Sequence, residues 1–145
     1  MEKKVRLAFY KGKKGVAARL IAWWKKAKYT HAEVLIDNVI YSSSEIDGGV
    51  RRKEKASFHP DRWEIVDIPW PVTEKQVVDF YNKTDAHDYD WRGIIRSQLF
   101  GSNRHNESKW FCSEWCAAAI GISEPQRYCP QGLYDLVKDF KRLKK

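Results

Sequence analysis

The sequence predicts an α+β fold, a small antiparallel sheet or half-barrel packed against helices. Three observations carry this. Short runs with strand-like alternation occupy the chain between Val5 and Ile68. Stretches with apolar residues at helical spacing lie among and after them. Following an opening strand, the order is one helix, a meander of strands, then helices, and such segregated runs mark α+β rather than alternating α/β architecture. At 145 residues the chain reads as a single domain, 1–145.

The elements follow in order. Val5-Arg6-Leu7-Ala8-Phe9-Tyr10 alternates and is rich in strand formers. Gly15 to Tyr29 places Val16, Leu20, Trp23, Trp24 and Ala27 at helical spacing, and Lys25, Lys26 and Lys28 complement the dipole at its end. Such a stripe ordinarily faces a core, although the lysines also suit an anionic membrane surface. His31 to Ile36 and Val39 to Ser43 read as a hairpin around Asp37-Asn38. Asp47-Gly48-Gly49 is a turn, Val50 to Lys55 a charge-edged strand, and Trp63 to Ile68 a strand closed by Pro69-Trp70-Pro71. Thr73-Glu74-Lys75-Gln76 reads as a capping box, with Gln76 reaching back to Thr73, and its helix runs to about Asn82. Asp85 to Asn106 is irregular, with a short helix over Trp91 to Phe100. The helix containing Cys112 ends near Gly121, a natural C-cap. Pro130 opens a last helix with Leu133, Leu136, Val137 and Phe140 on one face.

A formal charge of +8 favours anionic partners, among which sign alone does not choose between cell wall, membrane and nucleic acid. The lysines and arginines concentrate between Lys11 and Lys28 and from Lys138 to Lys145. No secretory signal or membrane span is visible: Val5 to Tyr10 is too short for an h-region, and nothing approaches the roughly 18 apolar residues that cross a bilayer. Cytoplasmic synthesis is the expectation. No obligate protein partner and no cofactor are indicated.

The chemistry is expected at Cys112, in Trp110-Phe111-Cys112-Ser113-Glu114-Trp115-Cys116. It falls at the start of a helix, whose partial positive charge favours thiolate over thiol. Cys116 lies a turn inside the helix and reads as a small core residue, and Cys129 lies in a loop before Pro130. Cys112-x3-Cys116 with Cys129 and a histidine is the alternative zinc reading, but the paired knuckles of structural zinc sites are absent, so no metal is expected. Of four histidines, His31 alone sits on a strong strand pattern, in Thr30-His31-Ala32-Glu33-Val34-Leu35-Ile36, where a rigid base for the thiol is expected. A third group should orient the ring. Strand periodicity puts Glu33 on the face of His31. A hairpin closing with Ile36 opposite Val39 puts Ser44 opposite His31 and Ser42 opposite Glu33. Glu33 and Ser44 are both candidates, and the pattern does not choose between them.

Taken in order, these segments resemble the NlpC-type cysteine hydrolases, in the circularly permuted YiiX/YebB-like branch of the papain-like fold, a permuted group that also contains lecithin retinol acyltransferase. Tyr29-Thr30-His31-Ala32-Glu33-Val34 is similar to the histidine strand, Gly48-Gly49-Val50-Arg51 to the turn and strand after it, and Tyr89-Asp90-Trp91-Arg92-Gly93 to the aromatic-glycine segment before the nucleophile. Trp110-Phe111-Cys112-Ser113-Glu114 resembles the nucleophile motif, and Cys129-Pro130-Gln131-Gly132-Leu133-Tyr134 the proline-started final helix. The resemblance implies Cys112 as nucleophile, His31 as base, and Tyr89 with the Cys112 backbone N–H as oxyanion donors. The family's third, ring-binding position falls here in the serine run, so a weak orienting group or Glu33 must serve.

Three functions follow as expectations. The first is a cysteine hydrolase of amidase or peptidase type, cleaving an amide through an acyl-enzyme. The second keeps that chemistry on a lipid ester or thioester at an anionic membrane, as hydrolase or acyltransferase. The third is a non-catalytic module binding nucleic acid or another acidic polymer. Trp91 and Trp110 are the candidate substrate-binding residues, for a ring-bearing or acyl ligand.

Overall fold

The computed structural model describes residues 3–11, 28–44, 49–54, 58–85, 88–89, 109–110 and 112–143. The α+β class expected from the sequence is the class observed. Strands β1 (Val5–Tyr10), β2 (His31–Ile36), β3 (Val39–Ser44), β4 (Gly49–Lys53) and β5 (Trp63–Asp67) are followed by helix α1 (Glu74–Thr84), two short strands, β6 (Asp88–Tyr89) and β7 (Lys109–Trp110), and helices α2 (Cys112–Ala119) and α3 (Pro130–Leu143), with a 3₁₀ turn at Pro125–Arg127 between them. The strands form one sheet in the order β5-β1-β2-β3-β4-β6-β7. Every pairing is antiparallel except β6 with β7.

The hairpin closes as the sequence indicates, with Ile36 opposite Val39. Asp37 takes the left-handed conformation at its turn, one that Asp adopts more readily than branched residues do. On β1, Val5, Leu7 and Phe9 pair with Ile36, Val34 and Ala32 of β2, and all six enter one core cluster. Val77 of α1, Trp115 and Cys116 of α2, and Leu133 and Val137 of α3 join the same cluster. The period of two leaves His31, Glu33 and Leu35 as the alternate set on β2.

Two helix details depart from expectation. Thr73 caps α1, accepting from the Gln76 backbone N–H at 3.1 Å. The Gln76 side chain does not reach back: its Nε2 donates to the Ala119 carbonyl at 3.1 Å. The open carbonyl at the end of α2 takes up the side-chain amide whose oxygen was expected to accept from the Thr73 backbone N–H. On α3, Leu133 and Val137 are fully buried, whereas Phe140 is exposed and meets the Trp70 ring edge-on at 5.3 Å. The strand at β6 arises in a stretch that reads as irregular, because two-residue pairings carry no periodicity. The helix read over 91–100, the 15–27 part of the helix read over 15–29, and the 47–48 part of the glycine turn lie outside the described residues, while Lys28 and Tyr29, read as the end of that first helix, are not helical.

Candidate active site

Helix α2 is the rigid part of the site. Gly121, at φ 89°, ends it in a left-handed turn. The Gly121 N–H bonds to the Ala118 carbonyl and the Ile122 N–H to the Ala117 carbonyl, the paired bonds of a Schellman cap. Trp70 Nε1 donates to the Ile120 carbonyl at 2.9 Å, beside the bond from Gln76. Near the other end, Ser113 Oγ donates to the Tyr128 carbonyl at 2.7 Å. In the middle, Trp115 is wholly buried and donates through Nε1 to Thr84 Oγ1 at 2.8 Å. Both ends and the centre of this short helix are tied to neighbours, which fixes where its first residue, Cys112, stands.

Cys116 registers α2 against β2. Its thiol donates to the Ala32 carbonyl at 3.4 Å and lies 3.8 Å from Ser42 Oγ. Burial, and after it the charge of Cys112, push the Cys116 thiol well up. Cys116 is therefore the buried structural cysteine that the sequence suggests. One helical turn nearer the N-terminus, Cys112 comes beside His31, the residue before Ala32, and its sulfur acts on the ring through charge and hydrogen bonding.

The histidine is equally fixed. The Thr30 N–H bonds to the Tyr10 carbonyl at 3.0 Å, and His31 pairs with Tyr10 in the ladder. Gln131, in the first turn of α3, accepts from the Lys28 and Tyr29 backbone N–H groups through Oε1 at 3.0 and 3.2 Å. The chain is thus held on both sides just before it enters β2. Trp63, opposite Tyr10 on β5, presents its ring to His31 at 6.3 Å, nearly perpendicular.

His31 Nε2 lies 2.9 Å from Glu33 Oε1. That leaves Nδ1 as the nitrogen for Cys112. Burial opposes the charged ring, but the charge and hydrogen bond of Cys112, with those of Glu33, outweigh it and raise the imidazole to about 10. Glu33 is itself almost wholly buried, which opposes its charge, yet His31 and then Arg51 hold its carboxyl below the usual range. Arg51, on β4 and opposite Ser42, donates through Nη2 to the same Glu33 Oε1 that His31 uses. The constellation is a chain of sulfur, imidazole, carboxylate and guanidinium.

Of the residues expected at the site, the structure brings Cys112, His31 and Glu33 together. Ser44 pairs through its backbone with Gly49, and its side chain lies outside the described residues. Ser42, the other member of the run near the site, donates to the Ala32 carbonyl at 2.7 Å rather than to the ring. Tyr89 is placed by its backbone beside Trp110, two residues before Cys112, through the β6–β7 pairing. The side chains of Tyr89 and Trp110, and Trp91 entirely, are outside the described residues. Sequence reasoning missed Arg51, Trp63 and Gln131. The signal for Arg51 was present: extending the hairpin register one strand further puts Glu33, Ser42 and Arg51 in one row. Among the described residues, no group of three or more His, Cys, Asp or Glu side chains is placed to hold a metal ion, and no helix is long and apolar enough to cross a membrane. No protein-family model, curated protein or solved structure matches this chain.

Proposed function

We propose that this chain is a cysteine hydrolase of the amidase or peptidase type, built on the permuted papain-like architecture that its motif order resembles. One observation carries the reading: a single imidazole is shared between a cysteine at a helix N-terminus and a buried carboxylate. This is the nucleophile, base and orienting-group arrangement of cysteine hydrolases, which is recognised by geometry and not by position in sequence. The Cys112 sulfur attacks the substrate carbonyl and forms a tetrahedral adduct. The His31 imidazolium gives its proton to the departing amine, leaving a thioester on Cys112. The neutral ring then takes a proton from water, whose oxygen attacks the thioester, and the acid product leaves with the sulfur again paired to the protonated ring. Glu33 keeps the ring turned and its charge compensated throughout. The Cys112 backbone N–H, at the open end of α2, is one oxyanion donor, and the backbone placement of Tyr89 suits it as a second.

An electrophilic acyl probe tests the assignment. It should attach to Cys112 in the native chain and be lost in Cys112→Ala, while Cys116→Ala and Cys129→Ala keep the label. Labelling that persists unchanged in Cys112→Ala rejects the assignment.

A further inference from the structure

Arg51 has no part in the reaction just described, yet it is the fourth member of the constellation. Its side chain is only 13% exposed, and the carboxylate it meets is 2% exposed. Its Nη2 and His31 Nε2 converge on one oxygen, Glu33 Oε1. An isolated buried carboxylate is costly and tends to take up a proton, and in that form it is a neutral donor that no longer holds the imidazolium. A guanidinium, which keeps its charge at every accessible pH, prevents this. We propose that Arg51 is a positioning residue that fixes Glu33 on the His31 ring and, as a permanent charge, sets the pH range in which the Cys112–His31 pair stays charged. The inference rests on the cysteine hydrolase reading and extends it to the residue that tunes the site.

The charged and titratable groups around His31, among the described residues, come from four elements. β2 gives Glu33, β4 gives Arg51, and α2 gives Cys112 with Cys116 one turn further in. β1 presents the Tyr10 phenol opposite His31 and Ala8 opposite Glu33, β3 presents Ser42, and β5 presents the Trp63 ring. In the thiolate–imidazolium form that the proposed reaction uses, the four functional charges cancel. Removing the guanidinium leaves a net negative site that holds every proton more tightly. Removing the carboxylate charge leaves a net positive site that holds every proton more loosely. The two changes must therefore move the site's titration in opposite directions, which loss of packing alone would not do.

The test is the pH dependence of Cys112 alkylation by iodoacetamide, followed by peptide mass in the full chain. Arg51→Met should move the profile up by about one pH unit and Glu33→Gln down by about one unit. Arg51→Lys, which keeps the charge, and the double variant Glu33→Gln/Arg51→Met, which strands neither charge, should return to the wild-type position. A folded Arg51→Met whose profile overlies wild type overturns the proposal, whatever its overall rate. If Arg51→Met fails to fold, the double variant decides: a profile about one unit above that of Glu33→Gln supports the proposal, and one coincident with Glu33→Gln overturns it. His31→Ala separates the two levels. If it leaves the wild-type profile intact, the cysteine–histidine pairing fails and the role of Arg51 falls with it. If it changes the profile while the Arg51 variants do not, only the role of Arg51 fails.

Discussion

Glu33 Oε1 lies 2.9 Å from His31 Nε2, two residues along one strand. The pleat alone brings these side chains to one side of β2, so the pair needs no loop to assemble it. The contact is enclosed, with the Glu33 side chain 2% and the His31 side chain 20% exposed. In this setting the carboxylate works as a fixed counter-charge for both ring and guanidinium, and losing it takes that counter-charge from both cations.

Glu33→Gln is therefore expected to lower the unfolding free energy by about 3–5 kcal/mol at pH 6, the usual consequence of removing one partner from a buried charge pair. Glu33 is held below its ordinary value of 4.5, so its stabilising contribution is present above that pH and is lost as pH falls through the lower folded value. The gap between wild type and variant, read from urea midpoints, should narrow on going from pH 6 into this acid range. A gap that is constant across it contradicts the assignment of charge to Glu33.

Turnover has a basic limb. The acylation step needs a protonated ring, and His31 is raised from 6.5 to about 10. The rate of acyl-enzyme formation with an amide substrate should hold through mild alkali and fall as pH passes through about 10. A fall centred near 6.5 would show that the ring lacks its partners.

What the sequence made legible divides along physical lines. Local patterns read well: the β2–β3 hairpin closes as its turn and alternation indicate, and Glu33 follows from the period of two. Pro130 and Gly121 mark helix ends through their own backbone constraints. Contacts set by tertiary packing did not read. Gln76 deserts its cap because α2 happens to end within reach, and Gln131 grips the chain before His31 from 102 residues away. The choice between Glu33 and the serine run likewise depended on Arg51, which reaches Glu33 only once β4 is paired to β3.

The cap at the end of α2 is a separate point of test. Gly121→Ala places a side chain at φ 89°, where L-residues are disfavoured by about 1–2 kcal/mol. Its Cβ would stand 3.4 Å from Gln76 Nε2, the group that holds the Ala119 carbonyl. The expected result is a loss of stability of about that size in urea unfolding, with Cys112 still labelled below the transition. No loss would mean that α2 ends without this cap.

Trp115 anchors the middle of the same helix. Trp115→Phe removes the donor to Thr84 Oγ1 and leaves a void beside Phe80, whose ring is 5.3 Å away. Thr84 Oγ1 keeps its own bond to the Phe80 carbonyl at 2.8 Å, so the lost bond costs about 0.5–1.5 kcal/mol, and the void adds to it. Thermal unfolding should report a lowered midpoint, and a midpoint equal to wild type would contradict the tethering assigned to this residue.

The most direct measurement is the protonation of the His31 ring, followed by nitrogen NMR of the imidazole in wild type and in Cys112→Ala. Wild-type His31 should remain an imidazolium at pH 8.5 and release its proton near pH 10, and the variant, deprived of the sulfur's charge and hydrogen bond, should release it at distinctly lower pH. A neutral ring at pH 8.5 in the wild type, or the same titration in both proteins, would show that sulfur and imidazole do not form a pair and would remove the basis for hydrolysis at this site.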